Sequence, residues 1–363
     1  MVPAVGQVLA AAAGPEMAWI ALEEDAGTPL FTGRCCGRSG TGIGRPGGVQ
    51  HQTMPGRYFT GRRQALTELA GWLAADPAGR PGLRVVTGGP GSGKSAVLAR
   101  LVTTADLVLH LPPPAAALPV VAAGSIDVAL HARAARTDQL LGELGEALDL
   151  DVGQPGQPVE KRVDRLLEEL AARQRPVTLV VDALDEAAAP AELAGRLLRP
   201  LLDASLIGVR LLVGGRAEAL PMLRLRAEEQ QAVIDLDDGQ AGYFNPADLV
   251  GYVRRCLLLD EDPHAPTPYR DRRQLAGQVA EAVAARAGKT FLIAQLEARS
   301  LTDAAQPIQV GQPGWERQFP VTVGEAIDRY LARLGPRRAA GTQPARPTRL
   351  GLRQRAALQL RRR

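Results

Sequence analysis

Gly88-Gly89-Pro90-Gly91-Ser92-Gly93-Lys94-Ser95 is the stretch on which the fold turns. Its spacing, Gly-x-x-x-x-Gly-Lys-Ser, is the full P-loop pattern. The glycines let successive backbone N–H groups face inward, toward the β- and γ-phosphates of a nucleotide. A helix beginning near Gly93 adds its positive dipole end. The Lys94 ammonium is expected to bridge β- and γ-phosphate oxygens, and the Ser95 hydroxyl to ligate Mg2+. The nucleotide-binding run is therefore read as Gly88, Gly89, Pro90, Gly91, Ser92, Gly93, Lys94, Ser95 and Ala96. A chance Gly-rich turn is the bland alternative. It would not need a strand before it (83–87, LRVVT) and a helix after it (95–103, with Val97, Leu98, Leu101 and Val102 in register).

Working outward, residues 176–186 (PVTLVVDALDE) carry the second signal. A continuous apolar run is what a parallel strand covered on both faces requires. It delivers Asp182 at its C-terminal end, where ligands of an open α/β sheet collect. Asp182 is expected to hold Mg2+, directly or through water. Asp185 and Glu186 follow within one turn as candidates to orient or deprotonate an attacking water, with Glu186 favoured over Asp185. A helix-capping Asp followed by solvated acids is the alternative. A third strand, 209–213 (VRLLV), runs into Gly214-Gly215-Arg216. Arg216 is a candidate γ-phosphate sensor, against the alternative of a surface arginine. Arg133 and Arg136 are weaker candidates to face the same pocket, and His131 reads as packed or hydrogen-bonded rather than catalytic.

Periodicity places helices at 64–75, 137–148 (capped by Thr137), 159–173 and 191–202, with further strands at 107–109, 126–131 and 232–236. Strands alternating with helices predict an α/β P-loop NTPase fold, a mostly parallel sheet covered by helices. From Asn245 the pattern is all helical: 246–259, with Asn245 as cap and Pro246 at the first helical position, then 272–286, 291–301 and 323–334. The expected division is a poorly structured segment 1–55, an ATPase core 56–240, a helical module 241–335 and a disordered tail 336–363. Residues 17–24 could form a short helix or strand, and the Gly- and Arg-rich stretch 33–48 reads as a linker.

Composition bounds the rest. An apolar fraction of 45% allows a sizeable core. The net charge of +4 is uneven, because nine arginines and no acid lie in 336–363; without them, 34 basic residues face 39 acidic ones. Such a tail can touch nucleic acid or anionic lipid, although a solvated end is the simpler reading. Three cysteines (Cys35, Cys36, Cys256) offer neither a disulfide framework nor a CxxC metal pair, and sparse cysteine agrees with a reducing compartment. The apolar opening 2–14 lacks a basic flank and is too short to span a bilayer. A cytoplasmic protein is expected.

The trio GGPGSGKS, TLVVDALDEA and RLLVGGR resembles the NACHT-like branch of the STAND ATPases, signal-transducing P-loop switches. Asp182-Ala183-Leu184-Asp185-Glu186 looks like the NACHT form of Walker B. The resemblance assigns roles to Lys94, Ser95, Asp182, Asp185, Glu186 and Arg216, covers about 56–335, and implies an Mg2+-dependent ATPase of slow turnover. Tyr58-Phe59-Thr60-Gly61-Arg62 resembles the lead-in that contacts adenine, and Ala287–Ala294 (AGKTFLIA) the helical region after the core. It further implies a homo-oligomer in the ATP state and a protein effector or sensor. The Gly-x-Pro of many relatives is not evident, and the winged-helix module and sensor repeats of the family do not occur in these 363 residues, so a shortened member is expected. Two other readings remain: a P-loop kinase or phosphotransferase, and an ATP-dependent nucleic-acid-binding protein using the Arg-rich tail. The motif alone does not separate ATP from GTP.

Overall fold

The computed structural model describes residues 33–34, 59–75, 82–105, 118–173, 175–204, 208–260 and 266–339. The expectations at 17–24 and 107–109, and the rest of segments 1–55 and 340–363, lie outside them. In segment 1–55 the pair β1 (Gly33–Arg34) joins the sheet antiparallel to β3 (Val128–His131). Five parallel strands make up the remainder: β2 (Leu83–Thr87), β3, β4 (Val177–Asp182), β5 (Val209–Gly214) and β6 (Val233–Asp235). Their order is β1-β3-β4-β5-β2-β6. The strand carrying the phosphate loop is thus separated from the strand carrying Asp182 by β5.

Side chains alternate between the faces of a strand, and both faces here are covered. On one face Leu83, Val85, Leu179, Val181, Leu211 and Val213 pack against α3 (Thr137–Leu148), α4 (Val159–Ala172) and the helical run 190–203. On the other, Val86, Val180, Leu212 and Ile234 meet α1 (Arg63–Ala74) and α2 (Lys94–Ala105). All residues of β4 and β5 are buried, which is why both strands are dominated by apolar residues.

Two local expectations are corrected. Thr137 does not cap α3: it lies inside the helix, 4% exposed, its hydroxyl buried without a hydrogen-bond partner, and Arg136 occupies the cap position. Residues 190–203 are not one regular helix. They comprise α5 (Pro190–Glu192), a π-helical stretch (Leu193–Leu198) and α6 (Arg199–Asp203). Pro200 lacks an amide and its ring would crowd the carbonyl four residues earlier, and a widened turn upstream accommodates it.

Beyond β6 the chain is helical: α7 (Pro246–Leu258), α8 (Arg273–Ala287), α9 (Phe291–Thr302) and α10 (Val323–Ala339). These helices share their own apolar cluster, built on Leu249, Val253, Val279, Ile293 and Tyr330. The Asn245 side chain accepts from the Ala247 amide at 3.0 Å, as its cap role requires. The last helix continues through Gly335 and Pro336, where the sequence predicts a stop. Among the described residues no helix is long and apolar enough to cross a membrane.

Candidate functional site

The C-terminal ends of all five parallel strands open on one edge of the sheet, and the predicted residues gather there. β2 runs into the glycine loop, whose backbone is left-handed at Gly91 (φ 75) and Gly93 (φ 90). A Cβ at Gly88 would meet Ser92 Oγ at 2.7 Å, so the first glycine is a packing requirement as well as a conformational one. A Cβ on Gly93 would meet nothing within 4 Å, so the space beside that glycine is open. Lys94 Nζ donates to the carbonyls of Gly88 at 3.0 Å and Gly89 at 2.9 Å, curled along its own loop. Ser95 is half-buried and Ala96 exposed at the start of α2.

Asp182 ends β4 and is 1% exposed. Its Oδ2 has no hydrogen bond and lies 3.5 Å from His131 Nδ1, its register partner on β3. An orphaned buried carboxylate oxygen at this strand tip fits a metal ligand. Among the described residues no group of three or more His, Cys, Asp or Glu could hold a metal. A magnesium ion would therefore depend on Ser95, Asp182, water and phosphate oxygens, as magnesium bound with a nucleotide usually does.

After Asp182 the chain leaves the strand through a left-handed Ala183 (φ 57) into a short turn, Leu184–Glu186. This turn presents Asp185 and Glu186 toward the tip of β5. Arg216 donates its backbone N–H to Asp185 Oδ1 at 2.9 Å. Its guanidinium lies 3.3 Å from Asp185 Oδ2 and 3.5 Å from Glu186 Oε1. Arg133 reaches Glu186 Oε2 at 3.5 Å from the other side. Glu186 is thus held between two arginines, whereas Asp185 is anchored to a backbone amide. The two glycines ahead of Arg216 make the approach possible: a Cβ at Gly214 would meet Asp182 Oδ1 at 2.6 Å, and one at Gly215 would meet Asp185 Oδ1 at 3.3 Å. Arg136 is not brought to the site; it is exposed and paired with Asp138 at 3.2 Å.

Beside the loop, Asp237 went unnoticed in the sequence, and Lys289 entered only as part of the stretch 287–294. Asp237, just past β6, accepts the Gly89 amide through Oδ2 at 2.6 Å, and Lys289 Nζ donates to the Asp237 carbonyl at 2.6 Å. The only sequence hint was an acidic pair after a short strand. The lead-in is held by its last residue. Tyr58 lies outside the described residues, and Arg62, 3% exposed, directs its guanidinium at backbone carbonyls, including Ser92 O at 2.6 Å.

Comparison with known proteins finds a likeness over part of the chain. No curated protein matches the chain. The structure of C. elegans PCH-2 is similar, with a TM-score of 0.33 and 13% sequence identity, over 76% of this chain and 69% of that one. A family described as AAA ATPase domain matches residues 58–213, from the lead-in to the penultimate residue of β5 and short of Arg216. Residues 58–213 are thus similar to the AAA ATPase domain, a nucleotide-binding P-loop fold.

Proposed function

We propose that the chain binds ATP with magnesium at the C-terminal edge of its sheet and hydrolyses it slowly, as a conformational switch of the NACHT-like STAND kind. One observation carries this reading: β5 lies between β2 and β4, so Arg216 emerges between the Lys94 loop and the Asp182–Glu186 turn. A phosphate chain in the loop would have a cation and amides on one side, and acids and an arginine on the other.

In this reading the loop amides and Lys94 bind and neutralise the β- and γ-phosphates, the preorganised electrostatics that phosphoryl transfer needs most. Magnesium, held by Ser95 and Asp182, would supply further charge neutralisation. Glu186 orients water and accepts its proton. Asp185 holds Arg216 in place, and Arg216 senses the γ-phosphate. The core (56–240) and the helical module (241–335) are the bodies whose relative setting the nucleotide biases. Assembly into a homo-oligomer in the ATP state belongs to the same reading.

Glu186→Gln tests it. The substitution is expected to leave ATP affinity within about twofold while cutting turnover by roughly a hundredfold or more, the usual share of a general base. Phosphate release at saturating ATP reads this out, and turnover equal to wild type would remove Glu186 from the mechanism.

A further inference from the structure

Arg62 has a left-handed backbone (φ 53) directly after another left-handed residue, Gly61 (φ 79). Both are pinned to the helical module. The Arg62 amide donates to Asp248 Oδ2 at 3.2 Å, in the first turn of α7, and a Cβ at Gly61 would collide with the same Asp248 side chain. The buried guanidinium faces the core. Nη1 donates to the carbonyls of Leu236 and, at 2.8 Å, Tyr243; Nη2 donates to Ser92 O at 2.6 Å. Its Cζ lies 5.1 Å from the ring centre of Phe291, the first residue of α9, and 5.4 Å from that of Phe244. One side chain thus joins the phosphate loop, the exit of β6 and the helical module.

The contact with Ser92 has a geometric consequence. In a trans peptide the C=O and the following N–H point in opposite directions, and no peptide among the described residues is cis. A guanidinium that draws the Ser92 carbonyl to its own side therefore turns the Gly93 N–H the other way, away from Arg62. A second contact follows the same route, with the Leu292 amide of α9 donating to Gly91 O at 3.4 Å. Burial pulls the Arg62 pKa down to about 10 while Asp237, Asp248 and Asp235 oppose the shift, so the group stays cationic at neutral pH.

We propose that Arg62 is a positioning residue that aims the Gly93 amide into the phosphate cradle and, through Phe291, passes the state of that cradle to the helical module. The proposal rests on the reading of the loop as a nucleotide site. A planar fork with five donors can serve three carbonyls at once, which a lysine ammonium cannot do in the same geometry.

The experiment uses the full chain and its Arg62→Lys and Phe291→Leu variants. ATP affinity is measured by calorimetry, and hydrogen exchange of residues 291–301 with and without saturating ATP and magnesium. Arg62→Lys is expected to weaken ATP binding about tenfold and to abolish the ATP-induced change in exchange at α9. Phe291→Leu keeps the three carbonyl contacts, so it should retain affinity within about twofold yet lose the change at α9. A merely structural Arg62 would not produce that split. Wild-type affinity in Arg62→Lys, or an intact α9 response in Phe291→Leu, would overturn the proposal. Failure of wild type to bind ATP would instead sink the nucleotide-site reading. The nucleotide-free arm then decides for Arg62 itself: faster exchange at 291–296 in Arg62→Lys supports its coupling to the helical module, and unchanged exchange overturns it.

Discussion

A Cβ at position 214 would meet Leu98 Cδ1 at 2.5 Å and Asp182 Oδ1 at 2.6 Å. Gly214→Ala is therefore expected to push Asp182 from its place and to destabilise the fold by about 1–3 kcal/mol, the usual cost of overpacking. Urea denaturation and ATP turnover measured on the same preparation would check both effects, and a variant matching wild type in each would contradict the packing described. Glu297, on α9, offers a pH test away from the site. It is 1% exposed and faces Arg329 at 3.3 Å and Arg333 at 3.8 Å, with Tyr269 nearby. Burial raises its carboxyl above the usual glutamate range, and the two arginines only partly counter this. A carboxyl raised in the folded state binds its proton more readily there than in the unfolded chain. Its contribution is then full below the unfolded value and lost as pH rises through the folded one. Relative to Glu297→Gln, wild type should gain stability as pH falls across that window; a pH-independent difference in denaturation midpoint would refute the assignment.

At the scale of elements, caps and strand tips organise the molecule. Asn245→Ala removes the side-chain acceptor for the Ala247 amide at the head of α7. A loss of about 1 kcal/mol is expected, visible as a lower urea midpoint, with ATP affinity unchanged because the cap touches no loop residue. The strands β2, β4 and β5 and most helices were legible in the sequence, since burial on both faces leaves apolar runs and burial on one leaves a helical period. The placement of Asp182, Asp185, Glu186 and Arg216 at strand tips was legible for a related reason: each follows closely on a buried, mostly apolar strand. Strand order was not legible, because neighbouring strands such as β5 and β2 are paired by packing over a long sequence separation. The π-helical stretch was missed because Leu193–Leu198 keeps an ordinary helical apolar pattern and only Pro200 marks the fault. Asp237, and what Arg62 of the lead-in touches, were hidden because their partners are largely backbone groups, which leave no trace in residue type.

Across the whole molecule, two apolar clusters clasp the sheet and a third fills the helical module. The module meets the core at the phosphate loop, through Leu292 to Gly91 and Lys289 to Asp237, and at the lead-in, through Asp248 and Phe291 to Arg62. A ligand that reshapes the loop would thus act where the two parts touch, which is the physical basis for reading the chain as a switch. All of this depends on the loop binding a nucleotide, and Lys94 is the residue through which that dependence is most directly probed. The decisive measurement is calorimetric titration of ATP with magnesium into wild type and Lys94→Ala, with folding of both confirmed by circular dichroism. Saturable binding by wild type and affinity at least about tenfold weaker in Lys94→Ala are expected. Equal affinity in the two proteins would contradict the account at its centre.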